Sequence, residues 1–306
     1  MLLLVALLTA CTTADPADTP PGSRIAGPIG TPDGPWREQF HWLPVTEASG
    51  AARLILARVC WPSGAALHRL ALINHGKSPS AADRAALRPA ACTAQAVRWF
   101  LARDFVVVLP LRRGYGSTGG RLAEAYPACS ASRDYAAGAL ETARDMQAAI
   151  TYATALPGVR RDAVVVVGQS AGGLGTIALS SLNDPRIAGL VNMAGGDGGR
   201  LNNFANTVCQ PPALVRAAGQ FGARGRTPML WIYTANDSYF APALAAAMHQ
   251  AYVAGGAAAT LRQVPAFGAD GHSLFLGAGG SAVWGPLVER FVVPRATEIT
   301  ALYHPR

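Results

Sequence analysis

Lysine is almost absent from this sequence, and charged residues of every kind are scarce. Asp, Glu, Lys and Arg make up 14% of the 306 residues, and Lys77 is the single lysine among 26 basic residues. The arginines are scattered along the chain in nothing longer than doublets such as Arg112-Arg113. A net charge of +8 without a basic tract does not build the concentrated patch that binds a phosphate backbone. The composition therefore argues against a nucleic-acid-binding protein.

The sequence also lacks metal-binding cysteine patterns. It contains no CxxC pair and no Cys/His spacing typical of zinc sites, so we expect no metal. Beyond Cys11, four cysteines remain: Cys60, Cys92, Cys129 and Cys209. In an oxidising compartment these four could form two disulfides in any of three pairings, whereas the alternative is buried free thiols.

The apolar run at the start, MLLLVALLTAC, is too short to span a membrane. Its length and its ending predict a lipoprotein-type signal over residues 1–11, with cleavage before Cys11 and acylation of that cysteine. A cleavable secretory signal with an incidental Cys11 is the alternative. No Lys or Arg precedes the run, which leaves open a start codon upstream of Met1. We expect an exported bacterial protein, periplasmic or tethered to the outer membrane, with residues 12–49 as a Pro-, Gly- and Thr-rich tether and N-terminal extension.

From residue 50 onward, strand-like and helix-like segments alternate, which predicts an α/β fold with a mostly parallel sheet and helices on both faces. The run AVVVVG has no polar alternation, as expected of a central strand buried on both faces. We predict one domain over 50–293, a loop-rich excursion above the sheet at about 195–226, and a tail at 294–306. The predicted strands are 52–61, 70–74, 105–110, 163–168, 187–194, 229–234 and 259–264, and the predicted helices are 90–103, 138–156, 171–182, 241–254 and 282–293.

The strongest motif lies at the end of the valine-rich strand. Gly168-Gln169-Ser170-Ala171-Gly172 is a G-x-S-x-G sequence that directly precedes a helix. Such a nucleophile elbow turns so sharply that only very small residues fit two positions before and after the serine. The motif therefore predicts Ser170 as a nucleophile, with Gly168 and Gly172 as the glycines that make room for the turn.

A serine hydroxyl is a weak nucleophile and needs a base and a group that orients the base. His272 lies in the Gly-flanked loop FGADGHSLF after a late strand, and Asp237 follows the strand 229–234. We predict His272 as the base and Asp237 as its acid, with Asp197 as the alternative acid. Asp270 is too near His272 in the chain to be favoured.

An oxyanion hole requires two hydrogen-bond donors near the serine. One is the backbone N–H of Ala171, and the second is expected from the loop after an early strand. There the segment NHGKSP places Gly76 where the backbone can approach closely, and the N–H of Lys77 is the candidate donor. We expect His75 to order this loop through hydrogen bonds.

A second glycine pattern, Gly114-x-Gly116-x-x-Gly119, has the spacing of a dinucleotide-binding turn. It lacks a helix at its third glycine and an acidic residue at a later strand end, so we expect no cofactor. We interpret the segment as a wall of the site around Ser170. Candidate substrate-pocket residues are Arg113, Tyr115, Tyr239 and Phe240.

Taken in order, NHGKSP, PLRRGYGSTGG, VGQSAGG, YTANDSYF and DGHSLF resemble the α/β-hydrolase superfamily, and within it the dienelactone hydrolase-like and prolyl-oligopeptidase-like branch. The resemblance covers residues 50–293 and implies about eight strands and a triad of Ser170, Asp237 and His272. The chain departs from dienelactone hydrolase, which uses a cysteine nucleophile, and no propeller domain precedes the core.

The resemblance implies a serine hydrolase that cleaves esters through an acyl-enzyme, with no cofactor. A peptidase or amidase that uses the same triad is the alternative, and a non-catalytic binding protein on the same scaffold is a third hypothesis. The expected partner is a small ester or short peptide. The sequence leaves the natural substrate and the oligomeric state open.

Overall fold

The computed structural model describes residues 19–64, 66–126, 129–130 and 133–303, with side chains up to residue 292. The predicted signal, Cys11 and the start of the predicted tether lie outside the described residues. Within the part of the chain that is described, no helix is both long and apolar enough to cross a membrane.

Nine strands of the described residues form one sheet in the order β1-β2-β3-β5-β4-β6-β7-β8-β9. The pairs β1/β2, β2/β3 and β3/β5 are antiparallel, and every pair from β5 to β9 is parallel. The predicted α/β class with a mostly parallel sheet is therefore confirmed. The strands are β1 Gly27–Asp33, β2 Glu38–Thr46, β3 Ala52–Cys60, β4 Arg69–Asn74, β5 Phe105–Leu111, β6 Val164–Gln169, β7 Ile187–Met193, β8 Met229–Thr234 and β9 Ala259–Val264.

In the described ranges of the chain, seven α-helices connect or flank these strands. Helices α3 to α6 pack on one face of the sheet, and α2 and α7 pack on the other. Strand β6 runs between β4 and β7 with its four valines at most 2% exposed, because both of its faces are covered. The helices are α1 Ala81–Ala86, α2 Gln95–Leu101, α3 Tyr135–Ala153, α4 Ala171–Ser180, α5 Pro211–Gly222, α6 Pro242–Ala254 and α7 Gly280–Tyr303.

Two strands lie in the segment that the sequence predicted to be a tether and extension. Strand β2 buries Trp42, Leu43 and Val45, and β1 pairs with it at the edge of the sheet. The sheet therefore begins at Gly27, and the predicted domain start at residue 50 does not match it. The prediction missed β1 because GPIGTPD reads as a loop, although proline is tolerated on an edge strand.

The predicted excursion at 195–226 is also shorter than expected, because it contains α5. This helix packs closely on α6: a Cβ at Gly222 would lie 2.0 Å from the carbonyl oxygen of Tyr252. The glycine that suggested a loop therefore permits close helix packing. At the other end, α7 continues to Tyr303, so the predicted tail at 294–306 is helical through residue 303.

The four cysteines that follow Cys11 form two disulfides. Cys60 at the end of β3 pairs with Cys92 before α2, and Cys129 pairs with Cys209 just before α5. The second bridge joins the loop after β5 to the loop after β7, across 80 residues of sequence. Free buried thiols are thus excluded, and the open question of pairing is settled.

A buried histidine in β2 gives the fold a specific acid sensitivity. His41 is 4% exposed, its Nδ1 lies 2.9 Å from the Tyr152 hydroxyl, and burial lowers its pKa to about 4. Between pH 6.5 and 4 the unfolded chain binds a proton at this site and the native chain does not, so stability falls as pH falls through that window.

We expect His41→Leu to lose less stability than the wild type between pH 7 and pH 4.5. Urea unfolding of both proteins at pH 7 and pH 4.5 measures the two losses in the free energy of unfolding. The same measurement at pH 8, where neither the native nor the unfolded state binds that proton, is the reference. Equal losses in the two proteins would contradict the assignment.

Candidate active site

Ser170 occupies the turn between β6 and α4 in a backbone conformation that side chains rarely adopt, with φ 55° and ψ −121°. The turn leaves no room beside it. A Cβ at Gly168 would lie 2.1 Å from the carbonyl oxygen of Gly172, and a Cβ at Gly172 would lie 2.5 Å from that of His75. A side chain at either glycine of the motif would therefore collide with the backbone.

Backbone hydrogen bonds from the neighbouring strand hold this strained turn in place. The N–H of Ser170 donates to the carbonyl of Met193 (3.0 Å), and its carbonyl accepts from the N–H of Gly196 (3.0 Å). Helix α4 begins at the next residue, so the positive end of its dipole lies at the serine. Such over-determined surroundings are what allow a strained conformation to persist.

His272 and Asp237 meet at the carboxyl ends of β9 and β8. The Nδ1 atom of His272 lies 3.1 Å from both carboxylate oxygens of Asp237, whose side chain is fully buried. Asp237 Oδ1 also accepts the N–H groups of Tyr239 (2.8 Å) and Phe240 (2.9 Å). The carboxylate is therefore fixed, and it can hold the imidazole in the tautomer with hydrogen on Nδ1.

The loop that carries His272 is secured by two further side chains. Asp270 accepts the N–H groups of His272 (3.0 Å) and Ser238 (3.0 Å), so it caps the turn and leaves the ring to Asp237. Gln169 Nε2 donates to the carbonyl of His272 (3.1 Å). Sequence reasoning found no role for Gln169, but this contact ties the residue before the serine directly to the histidine loop.

Two of the three aromatic residues predicted for the pocket, Tyr239 and Phe240, face His272. The ring of Tyr239 stacks on the imidazole with a centroid distance of 4.1 Å and an interplanar angle of 23°. Phe240 lies 5.6 Å from the imidazole and is 1% exposed, so it packs behind the ring. Tyr239 is thus the one of the pair that remains accessible.

The loop after β4 passes directly beside the serine. A Cβ at Gly76 would lie 3.1 Å from Ser170 Cβ and 3.7 Å from Ser170 Oγ. Among the described residues, no acceptor takes a hydrogen bond from the backbone N–H of Lys77 or of Ala171. These two unused backbone donors belong to the residue after Ser170 and to the residue after Gly76.

The ring of His75 is held inside this loop. Its Nε2 accepts the backbone N–H of Arg112 (3.2 Å), and its Nδ1 lies 2.7 Å from the carbonyl oxygen of Gly76. Burial, reinforced by the charge of Arg112, lowers its pKa to about 3. His75 is therefore neutral and orders the loop, consistent with the prediction.

The contacts of Arg113 and Tyr115 do not fit the prediction that they line the substrate pocket. Arg113 is nearly buried and donates to Asp145 (2.7 Å) and Glu141 (2.8 Å) of α3. Tyr115 is fully buried, donates its hydroxyl to Glu124, and packs edge-on against His75 with centroids 4.5 Å apart. Both residues lie in the loop after β5, but their side chains turn into the core.

The alternative acid, Asp197, has other partners. Its oxygens lie 3.5 Å from Lys77 Nζ and 3.5 Å from Arg133 Nη2, and burial raises its pKa. It joins the loop after β4 to the loop after β7 above the serine. The contacts therefore favour Asp237 over Asp197 as the partner of His272. The described residues contain no cluster of three His, Cys, Asp or Glu side chains that could hold a metal ion.

Comparison with known proteins finds likeness in structure alone. No protein-family model and no curated protein sequence matches the chain. An acetyl xylan esterase from Paenibacillus sp. R4 aligns over 87% of this chain and 88% of its own, at 15% identity and a TM-score of 0.58. A protein assigned as a dienelactone hydrolase from Klebsiella pneumoniae aligns over 83% and 98%, at 12% identity and a TM-score of 0.55.

An acylaminoacyl peptidase, solved with Z-Gly-Gly-Phe-chloromethyl ketone, aligns over 83% of this chain but 42% of its own, at 12% identity and a TM-score of 0.55. At such identities the likeness concerns the fold. The chain has the α/β-hydrolase fold, as the sequence motifs predicted.

Proposed function

We propose that this protein is a serine hydrolase that cleaves carboxylic esters by acyl transfer. The observation that carries the proposal is a strained serine at a strand-to-helix turn, with a histidine–carboxylate pair at the next strand ends and two unused N–H donors beside it. Each part has one place in acyl-transfer chemistry.

In the proposed reaction, Ser170 Oγ attacks the ester carbonyl carbon while His272 Nε2 takes the hydroxyl proton. The carbonyl electron pair moves onto oxygen, and the N–H groups of Ala171 and Lys77 stabilise that negative charge. His272 then gives its proton to the departing alcohol. Water, deprotonated by His272, attacks the acyl-enzyme and releases the acid and free Ser170.

Asp237 acts throughout as the orienting and charge-stabilising partner of His272. Because its oxygens also accept two backbone N–H bonds, the carboxylate stays in register with Nδ1 when the imidazolium forms. Tyr239, stacked on the imidazole, restricts the ring to one plane and offers a surface to the substrate.

Amide or peptide hydrolysis is the second candidate, since the acylaminoacyl peptidase is among the structures that share the fold. The same groups serve both reactions, but an amine is the poorer leaving group. A non-catalytic binding protein is the less favoured alternative, because Ser170, His272, Asp237 and two unused backbone N–H donors are the kinds of group that acyl transfer requires. Two disulfides support the further proposal of export to an oxidising compartment, with a periplasmic or membrane-tethered lipoprotein as its specific form.

Covalent labelling tests the proposal. We expect a fluorophosphonate probe to modify the folded protein at Ser170, as mapped by peptide mass spectrometry, and Ser49→Ala, which alters an exposed serine, to label like the wild type. A panel of 4-nitrophenyl esters and 4-nitroanilides then separates ester from amide preference. Absence of an adduct at Ser170 in the folded protein, with no turnover of any ester, would contradict the proposal.

A further inference from the structure

A buried ion pair lies directly behind the loop that carries the Lys77 donor. The side chains of Arg112 and Glu124 are at most 2% exposed, and Arg112 Nη2 lies 2.9 Å from Glu124 Oε1. Glu124 also accepts the hydroxyls of Tyr115 and, at 3.3 Å, Thr142. Burial would raise the pKa of Glu124, but the charge and hydrogen bond of Arg112 and the hydrogen bond from Tyr115 bring it down to about 2, so the pair is charged.

Such a pair is costly to bury and by itself is weak evidence for stability. Its geometry indicates what it holds. Arg112 Nη1 donates to the carbonyl oxygen of His75 (2.5 Å), and the backbone N–H of Arg112 donates to His75 Nε2 (3.2 Å). Arg112 therefore forms hydrogen bonds with both the main chain and the ring of His75.

The hydrogen bonds that fix His75 also constrain the peptide unit between Gly76 and Lys77. Because the neutral ring accepts at Nε2, its hydrogen is on Nδ1, from which it donates to the carbonyl of Gly76 (2.7 Å). The described chain has no cis peptide bond, so the N–H of Lys77 points opposite to that carbonyl. The direction of the Lys77 N–H is thus set by the ring of His75.

We propose that Glu124, Arg112 and His75 form a positioning relay that aims the Lys77 N–H at the oxyanion. The inference rests on the proposed function, because only a reaction that develops charge on a carbonyl oxygen uses this direction. The three residues touch no substrate. They act by fixing the plane of the Gly76–Lys77 peptide before the reaction begins, so that no reorganisation is required in the transition state.

The matched control is the neighbouring ion pair. Arg113 and Asp145 form a buried Arg–carboxylate pair one residue farther along the same loop, without a contact to His75. Asp145→Asn and Glu124→Gln each remove one buried charge and keep side-chain length. A merely structural role for Glu124 predicts that the two variants behave alike.

We expect Glu124→Gln to lower kcat by about 10- to 100-fold with little change in KM, less than the loss from removing an oxyanion donor outright. The affinity of a trifluoromethyl ketone inhibitor, whose bound oxyanion mimics the transition state, should fall by the same factor as kcat/KM. We expect Asp145→Asn to lower the thermal stability of the protein but to leave kcat/KM and the affinity for the inhibitor at their wild-type values. Tyr115→Phe keeps the ring on His75 and removes one hydrogen bond to Glu124. We expect this variant to lower kcat and the inhibitor affinity by a smaller factor than Glu124→Gln does.

Parallel losses in Glu124→Gln and Asp145→Asn, or an unchanged inhibitor affinity in Glu124→Gln, would overturn the relay. If Glu124→Gln does not fold, Tyr115→Phe decides, and an unchanged kcat together with unchanged inhibitor affinity would overturn it. A wild-type protein that neither labels at Ser170 nor hydrolyses esters would instead refute the proposed function. If the wild-type enzyme is active and the variants keep its kcat, the relay is refuted and the proposed function stands.

Discussion

Ser170→Ala should lower kcat for every ester that the protein hydrolyses by about 10⁶-fold. The variant removes the only atom that forms the acyl-enzyme in the proposed reaction, while His272, Asp237 and both N–H donors remain. Any turnover that remains above the uncatalysed rate in water would come from substrate binding and from the two backbone N–H donors, and it should show no acyl-enzyme burst. Stopped-flow measurements on a 4-nitrophenyl ester detect the acyl-enzyme burst, and steady-state measurements give kcat.

The backbone at Ser170 supplies an independent check on the same residue. Because the residue has a φ of 55°, where a side chain is strained, Ser170→Gly should be inactive but more stable than Ser170→Ala. Thermal unfolding of the two variants measures the difference. Activity retained in Ser170→Ala, or equal stability of the two variants, would mean that the nucleophile or the strained turn is misassigned.

Asp237→Asn should lower kcat by about 10⁴-fold while the fold stays intact. The asparagine keeps the shape of the carboxylate, so the backbone N–H groups of Tyr239 and Phe240 retain an acceptor. Its amide, however, favours the imidazole tautomer with hydrogen on Nε2, and that nitrogen can then no longer take the proton of Ser170. The charge that stabilises the imidazolium is also lost.

The control for this variant is Asp270→Asn, two residues before His272. Asp270 accepts the backbone N–H of His272 and the hydroxyl of Ser238, and no hydrogen bond among the described residues joins it to the imidazole ring. We expect its loss to reduce kcat much less than the loss of Asp237. A larger effect at Asp270, or less than a tenfold effect at Asp237, would reassign the acid. Steady-state kinetics of both variants across pH 5 to 9 tests this order.

Much of the architecture could be predicted from the sequence, because short-range patterns carry it. The uninterrupted valines of β6 and the tiny residues around Ser170 are requirements of a buried strand and a tight turn, and both can be recognised within ten residues. The positions of Asp237 and His272 followed from strand ends, since the carboxyl ends of parallel strands meet at one edge of the sheet. The structure brings these two side chains together at 3.1 Å.

The N-terminal strands and the disulfides required the tertiary structure. Strand β1 is stable only as the partner of β2, and nothing in its Gly- and Pro-rich sequence reports that partner. The pairing of Cys129 with Cys209 depends on two loops that meet above the sheet, and the spacing of cysteines does not encode such a meeting.

The roles of individual loop side chains were also decided by the tertiary structure. The sequence placed Arg113 and Tyr115 on a loop of the site, but a loop sequence does not specify which side of the backbone faces the core. Gln169 donates to the carbonyl of His272, and Arg112, which is paired with Glu124, donates to the carbonyl of His75. Both contacts join residues far apart in the chain. Local sequence thus determined the strands from β3 onward and the elbow, whereas long-range packing decided the N-terminal strands and which polar side chains support the turn.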